Sequence, residues 1–135
     1  TLSVRMECQQ KNAFRLAEWL KGHPLVTKVL YVGLATHPGY EINKSQTRGA
    51  GSMISFYVDS PETAKRVLEK VKLISYAESL GGVESLITYP MLQTHGDVPP
   101  EVRERLGITD CFLRFSVGIE NADDLIADLR QALEA

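Results

Sequence analysis

The chain has 135 residues, 44% hydrophobic and 24% charged, which suits one globular domain with a real core. Its net charge of −2 leaves no basic surplus for a nucleic acid or an acidic membrane surface, and no apolar run reaches the roughly 18 residues of a membrane-crossing helix. Cys8 and Cys111 stand far apart, match no metal or redox spacing, and read as reduced packing thiols of a cytoplasmic protein.

Met6, Ala13, Ala17 and Leu20 recur at helical spacing before Gly22 and Pro24, so Arg5 to Lys21 is predicted as a helix. Val26 to Leu34 is a β-type run. His37, Pro38 and Gly39 make a turn before a short helix over Tyr40 to Ser45, and RGAGS (Arg48 to Ser52) reads as a flexible connection. Met53 to Val58 is a strand. Ser60 then caps a helix with Pro61 at its first position and Ala64, Val67, Leu68 and Val71 as its apolar stripe. Leu73 to Ala77 is a short strand, Gly81 and Gly82 break the chain, and Ser85 to Tyr89 is weakly extended. A short helix covers Glu101 to Leu106, and Phe112 to Val117 is a strand. Asn121 caps a last helix with Asp123 and Asp124 in its first turn and Leu125, Ile126, Leu129 and Leu133 on its buried side.

This mixture predicts a single α/β domain. Its sheet is expected to hold about four strands, mainly antiparallel, with helices packed on one face. The opening lacks an initiator Met and a signal-peptide pattern, and the expectation is a domain cut from a longer protein.

One strand carries a chemical clue. Alternation sends Leu113, Phe115 and Val117 to one face and Phe112, Arg114 and Ser116 to the other. A mid-strand guanidinium is costly to bury without an anion, and its fork is shaped for a carboxylate. That anion is either an internal glutamate or a ligand. His23 and His37 sit beside prolines and read as surface residues. His95 reads as a loop histidine, and the three histidines form no zinc pattern.

Two segments go further. AESLGGVESLITYP (Ala77 to Pro90) and FLRFSVGIE (Phe112 to Glu120) resemble the C-terminal domain of the Cys/Met-metabolism enzymes, the pyridoxal-phosphate (PLP) enzymes of transsulfuration. The resemblance covers essentially the whole chain but about the last third of a typical member. It implies the small domain of a fold-type I PLP enzyme. It also implies that Arg114 binds the substrate α-carboxylate, that Ser79 helps to position it, that Glu78 sits at the pocket mouth, and that Thr94, in QTH, lies nearby. Glu84 is taken as structural. Tyr89 and Pro90 followed by QTH look more like bacterial cystathionine β-lyases and γ-synthases than like many γ-lyases.

The family's S-x-T-K lysine is missing. Lys11, Lys21, Lys28, Lys44, Lys65, Lys70 and Lys72 follow no such motif. The resemblance therefore places PLP in a large domain outside this chain, leaves no catalytic or cofactor-binding residue here, and implies a homo-oligomeric parent acting on a small amino-acid substrate. The reading from another class is a free-standing amino-acid-binding module without catalysis.

Overall fold

Residues 1–135 are described by a computed structural model. The elements run α1 (Leu2–Lys21), β1 (Val26–Leu30), α2 (Tyr40–Gln46), β2 (Met53–Val58), α3 (Pro61–Lys70), β3 (Ser75–Tyr76), β4 (Leu86–Thr88), α4 (Pro100–Arg105), β5 (Phe112–Ser116) and α5 (Ala122–Leu133). One sheet of five strands has the order β1-β2-β5-β4-β3. Its pairs are antiparallel except β3 with β4, which is parallel.

The strand beyond the predicted four is β4, whose signal is weak for a physical reason. Leu86, Ile87 and Thr88 are all buried, so the segment shows no in–out alternation. On β2 and β5 the alternation is plain. Ile54, Phe56 and Val58 join Leu113, Phe115 and Val117 in the core, beneath α1, α3 and α5. Each helix contributes a stripe at three- and four-residue spacing: Ala13, Leu16, Ala17 and Leu20 from α1; Ala64, Val67 and Leu68 from α3; Leu125, Leu129 and Leu133 from α5. The short helices α2 and α4 bury no residue.

The predicted caps form. Ser60 Oγ accepts a hydrogen bond from the Thr63 N–H, and Asn121 Oδ1 accepts from Asp123 and Asp124. β1 ends at Leu30, short of the predicted Leu34, because the chain turns there, with Leu34 N–H donating to the Tyr31 carbonyl.

His23 is not a surface residue. It is buried where α1 ends: its Nδ1 accepts from the Leu25 N–H, its Nε2 lies 3.2 Å from Glu134, and its ring leans on Trp19. The turn after α1 folds under the end of α5, which a nearby proline does not reveal. Gly33 marks another close approach, since a Cβ there would meet the Tyr31 ring and Ala50.

Asp128 is the main polar group of the helix layer. It is 6% exposed, and its carboxylate accepts from the backbone N–H groups of Lys72, Leu73 and Ile74 at 2.8–3.1 Å. It thereby fixes the turn between α3 and β3. Asp128→Ala leaves three N–H groups without their acceptor and should cost about 3 kcal/mol in urea unfolding. Asp128→Asn keeps one oxygen and should cost less.

Tyr31 is 1% exposed, its hydroxyl donates to the Gly51 carbonyl at 2.8 Å, and burial pushes its pKa up to about 12. The folded state thus holds this proton more tightly than the unfolded chain, whose tyrosines ionise near 10. That contribution to stability is complete below pH about 10 and is lost as pH rises through about 12. Urea unfolding across this range should show the loss, and Tyr31→Phe should reduce it.

Candidate functional site

Arg114 occupies the centre of β5, half-buried, on the face turned away from the helix layer. Its cross-strand neighbours are Ser55 on β2 and Thr88 on β4. Direct cross-strand partners share a face, so a hydroxyl flanks the guanidinium on each side. The protein contains two ion pairs, Arg15 with Asp123 and His23 with Glu134. Arg114 takes part in neither, so the internal glutamate partner is absent. Its charge is available to an external anion.

The segment holding Glu78 and Ser79 reaches this face for a topological reason. β3 and β4 are parallel, so residues 77–85 must return along the strands before β4 can start. They are tied down on both sides of the two candidates. Thr88 Oγ1 donates to the Ala77 carbonyl at 3.1 Å, and the Gly81 N–H donates to Ser116 Oγ at 2.8 Å. Thr88 lies beside Arg114, and Ser116 is two residues along β5 on the same face. Glu78 and Ser79 therefore lie between two anchors on the Arg114 face, both exposed. Gly81 adopts φ +78°, a left-handed conformation that a Cβ disfavours, as its place in this turn requires.

The two motifs are also joined directly. The Glu120 carboxylate accepts from both the N–H and the hydroxyl of Ser85, at 2.7 and 2.8 Å. Ser85 Oγ in turn accepts from the Gly118 N–H at 2.8 Å, and the Ile119 N–H donates to the Val83 carbonyl at 2.8 Å. A Cβ on Gly118 would strike the Val83 carbonyl and the Glu84 backbone, so this approach needs glycine. Helix α1 closes the joint. Asn12 Nδ2 donates to the carbonyls of Gly118 and Glu120, and Gln9 Nε2 donates to the Gly82 carbonyl at 2.7 Å. Glu84 is exposed and folds its carboxylate back over Gly82.

Sequence reasoning missed Gln9, Asn12, Ser85 and Glu120 as a unit. A signal was present. Gln9 and Asn12 fall on the stripe that continues as Ala13, Leu16, Ala17 and Leu20, and polar residues at core positions need partners.

Thr94 sits in the loop after β4, half-buried, with its hydroxyl 2.7 Å from His95 Nδ1. It makes no hydrogen bond to Arg114, Ser79 or Glu78. Gln93, in the same loop, plays a structural part. Its Oε1 accepts from the Tyr89 N–H at 2.7 Å and closes the loop onto β4. Tyr89 itself is buried, and its hydroxyl donates to the Asp110 carbonyl at 2.7 Å. Burial, with Asp110 nearby, raises its pKa above the ordinary tyrosine value. Tyr89 therefore ties β4 to the start of β5. Both cysteines are unpaired: Cys8 lies against the Ile119 carbonyl, and Cys111 lies beside Asp110 with its thiol pKa raised by burial and then by that carboxylate.

All seven lysines are exposed on this chain. Chemically, this arrangement offers an unpaired guanidinium bordered by the segment around Ser79, a pairing suited to an anion.

Known proteins share this fold. Residues 1–134 match the family described as Cys/Met metabolism PLP-dependent enzyme. The chain is 52% identical to a cystathionine gamma-lyase of Dictyostelium discoideum, covering 99% of this chain and 35% of that protein. It is 51% identical to the cystathionine beta-lyase MetC of Bacillus subtilis, covering 99% and 34%. Among solved structures, a cystathionine gamma synthase from Xanthomonas oryzae in complex with cystathionine superposes with a TM-score of 0.94 at 43% identity, covering 98% of this chain and 34% of that one. A Campylobacter jejuni chain that carries N′-pyridoxyl-lysine-5′-monophosphate also superposes with a TM-score of 0.94, at 37% identity, covering 98% and 32%. The chain thus spans about a third of the length of the curated relatives it matches. With the fold shared and all but the last residue matched, the chain belongs to the Cys/Met metabolism PLP-dependent enzyme family.

Proposed function

We propose that this chain is the C-terminal, substrate-side domain of a PLP-dependent carbon–sulfur lyase. The observation that carries the proposal is Arg114: half-buried, mid-strand, flanked by hydroxyls, inside the family's motif, and free of any internal acid. Its guanidinium holds the α-carboxylate of an amino-acid substrate by two parallel hydrogen bonds. Ser79 adds a hydroxyl to the same carboxylate, Glu78 borders the entrance, and Thr94 supports the site from the loop after β4. PLP and its lysine belong to the rest of the polypeptide. PLP enzymes use the cofactor as an electron sink for bonds broken at the substrate α-carbon. This chain's part is orientation: a carboxylate held at a fixed point sets which Cα bond faces the ring, an effect worth orders of magnitude in rate. The parent is read as a homo-oligomer, as the resemblance implies, and as cytoplasmic from its two unpaired thiols.

Within the family the proposal is cystathionine β-lyase, cleaving the Cβ–S bond of cystathionine to homocysteine, pyruvate and ammonia. ITYP and QTH favour it. Tyr89 and Gln93 both act inside the β4 loop, so their bearing on the reaction runs through loop shape. Relatives named as γ-lyase and β-lyase stand at near-equal identity, which keeps γ-elimination and γ-replacement as the second reading.

In the full-length enzyme, Arg114→Ala should leave the fold and the cofactor spectrum intact and lower kcat/KM by at least about a hundredfold, the equivalent of roughly 3 kcal/mol. Arg114→Lys should recover part of this. Near-normal kinetics in Arg114→Ala would remove the carboxylate role.

Product analysis tests the reaction type. With cystathionine the full-length enzyme should release mainly pyruvate. Mainly 2-oxobutanoate would instead make it a γ-lyase, and cystathionine formed from an activated homoserine would make it a synthase. No turnover at all would favour the binding module.

A further inference from the structure

The largest cavity lies away from Arg114. It measures about 750 Å³, within the range of small-molecule sites, and opens between the outer side of α1, the chain after β1, and α2 with the residues that follow it. None of Glu78, Ser79, Thr94 and Arg114 lines it.

Its charge is one-sided. Four charged residues line it, Lys11, Arg15, Lys44 and Arg48, and all are basic, although acids outnumber bases in the chain by 17 to 15. Arg15 is paired with Asp123, but Lys11, Lys44 and Arg48 have no ion-pair partner. Three cations thus face one space with no carboxylate among the lining residues. Phe14 is 47% exposed and also lines the cavity, as do Tyr31 and Tyr40; Lys44 Nζ sits 5.3 Å from the centre of the Tyr40 ring.

The wall is built rather than loose. Gln10 Oε1 accepts from the Ala50 N–H at 2.6 Å, Tyr31 OH donates to the Gly51 carbonyl, and Thr47 Oγ1 and Asn43 Nδ2 both donate to the Gly49 carbonyl. The neutral polar side chains are therefore occupied in holding the shape, and the cations remain for a ligand. This also corrects the reading of Arg48 to Ser52 as a flexible connection: its backbone is pinned from α1, α2 and the residue after β1.

We propose that this cavity binds a small organic phosphate with a flat apolar body. The phosphate meets Lys11, Lys44 and Arg48, and the flat body lies against Phe14 and Tyr40. Unpaired cations beside aromatic walls favour such a ligand over a bare anion or a neutral ring.

The test uses adenosine 5′-monophosphate as probe, with adenosine and inorganic phosphate as its two halves, titrated into the full-length enzyme by calorimetry and by NMR at low salt. The monophosphate should bind with a dissociation constant below about 1 mM, at least about tenfold tighter than either half, and more weakly as salt is raised. Backbone shifts should concentrate at Phe14, Tyr40 and Ala50. Lys44→Gln with Arg48→Gln, both exposed and outside the core, should weaken binding about tenfold or more, and Phe14→Ala should weaken the monophosphate but not inorganic phosphate. Absence of saturable binding, equal affinity for inorganic phosphate, or shifts centred on Arg114 would each overturn the proposal.

Discussion

The candidate site depends on one carboxylate. Glu120 grips the N–H and hydroxyl of Ser85, and the same hydroxyl accepts from Gly118, so two segments well separated in sequence become one body. Ser85 is fully buried, and a charge-assisted bond of this kind is roughly twice as strong as a neutral one. The loop that carries Glu78 and Ser79 is anchored at its far end by this joint, while Ser55 and Thr88 are set by the strand pairing. The Gly81 bond to Ser116 and the Thr88 bond to Ala77 hold the rest of that loop to the same face.

Helix α1 serves the same joint by polar means. Most of its inward stripe is aliphatic and packs on the sheet, but Gln9 and Asn12 interrupt the stripe in its first half. Their amides reach Gly82, Gly118 and Glu120, whose carbonyls a loop would otherwise leave without partners. An apolar residue at either position would suit the helix and orphan the loops. Polar side chains are buried here because two irregular segments need them to stay in place.

The legible part of the fold is the part governed by local period and capping. α3 and α5 announce themselves by Ser60 with Pro61 and by Asn121 with two aspartates, and β2 and β5 by clean alternation. β4 is faint because both its faces are covered. His23 and Asp128 escape a sequence reading because their partners lie far away along the chain, where no periodicity reports. The site is legible to the same degree. Alternation alone sets Arg114 apart from the core face. The placement of Ser79 and Glu78 needs the motif, because it follows from a parallel pairing of β3 and β4 that two exposed strand residues do not advertise. Thr94 comes from the motif alone, and its hydroxyl is occupied by His95.

An unpaired arginine in a half-buried strand position is unfavourable for folding, and the strands around it had simple remedies. A carboxylate in place of Ser55 or Thr88, the residues directly across from it, would have neutralised the guanidinium at once. Hydroxyls stand there instead, polar enough to share the face and uncharged. A cross-strand acid would compete with any incoming carboxylate for the same five donors and would lower its affinity by the strength of the internal pair. The surrounding structure is thus arranged to leave this charge unanswered, while the acids nearest in sequence are otherwise engaged: Glu120 on Ser85, and Asp110 beside Cys111. With these two acids engaged and hydroxyls directly across from it, the central guanidinium keeps its donors open to an anion from outside.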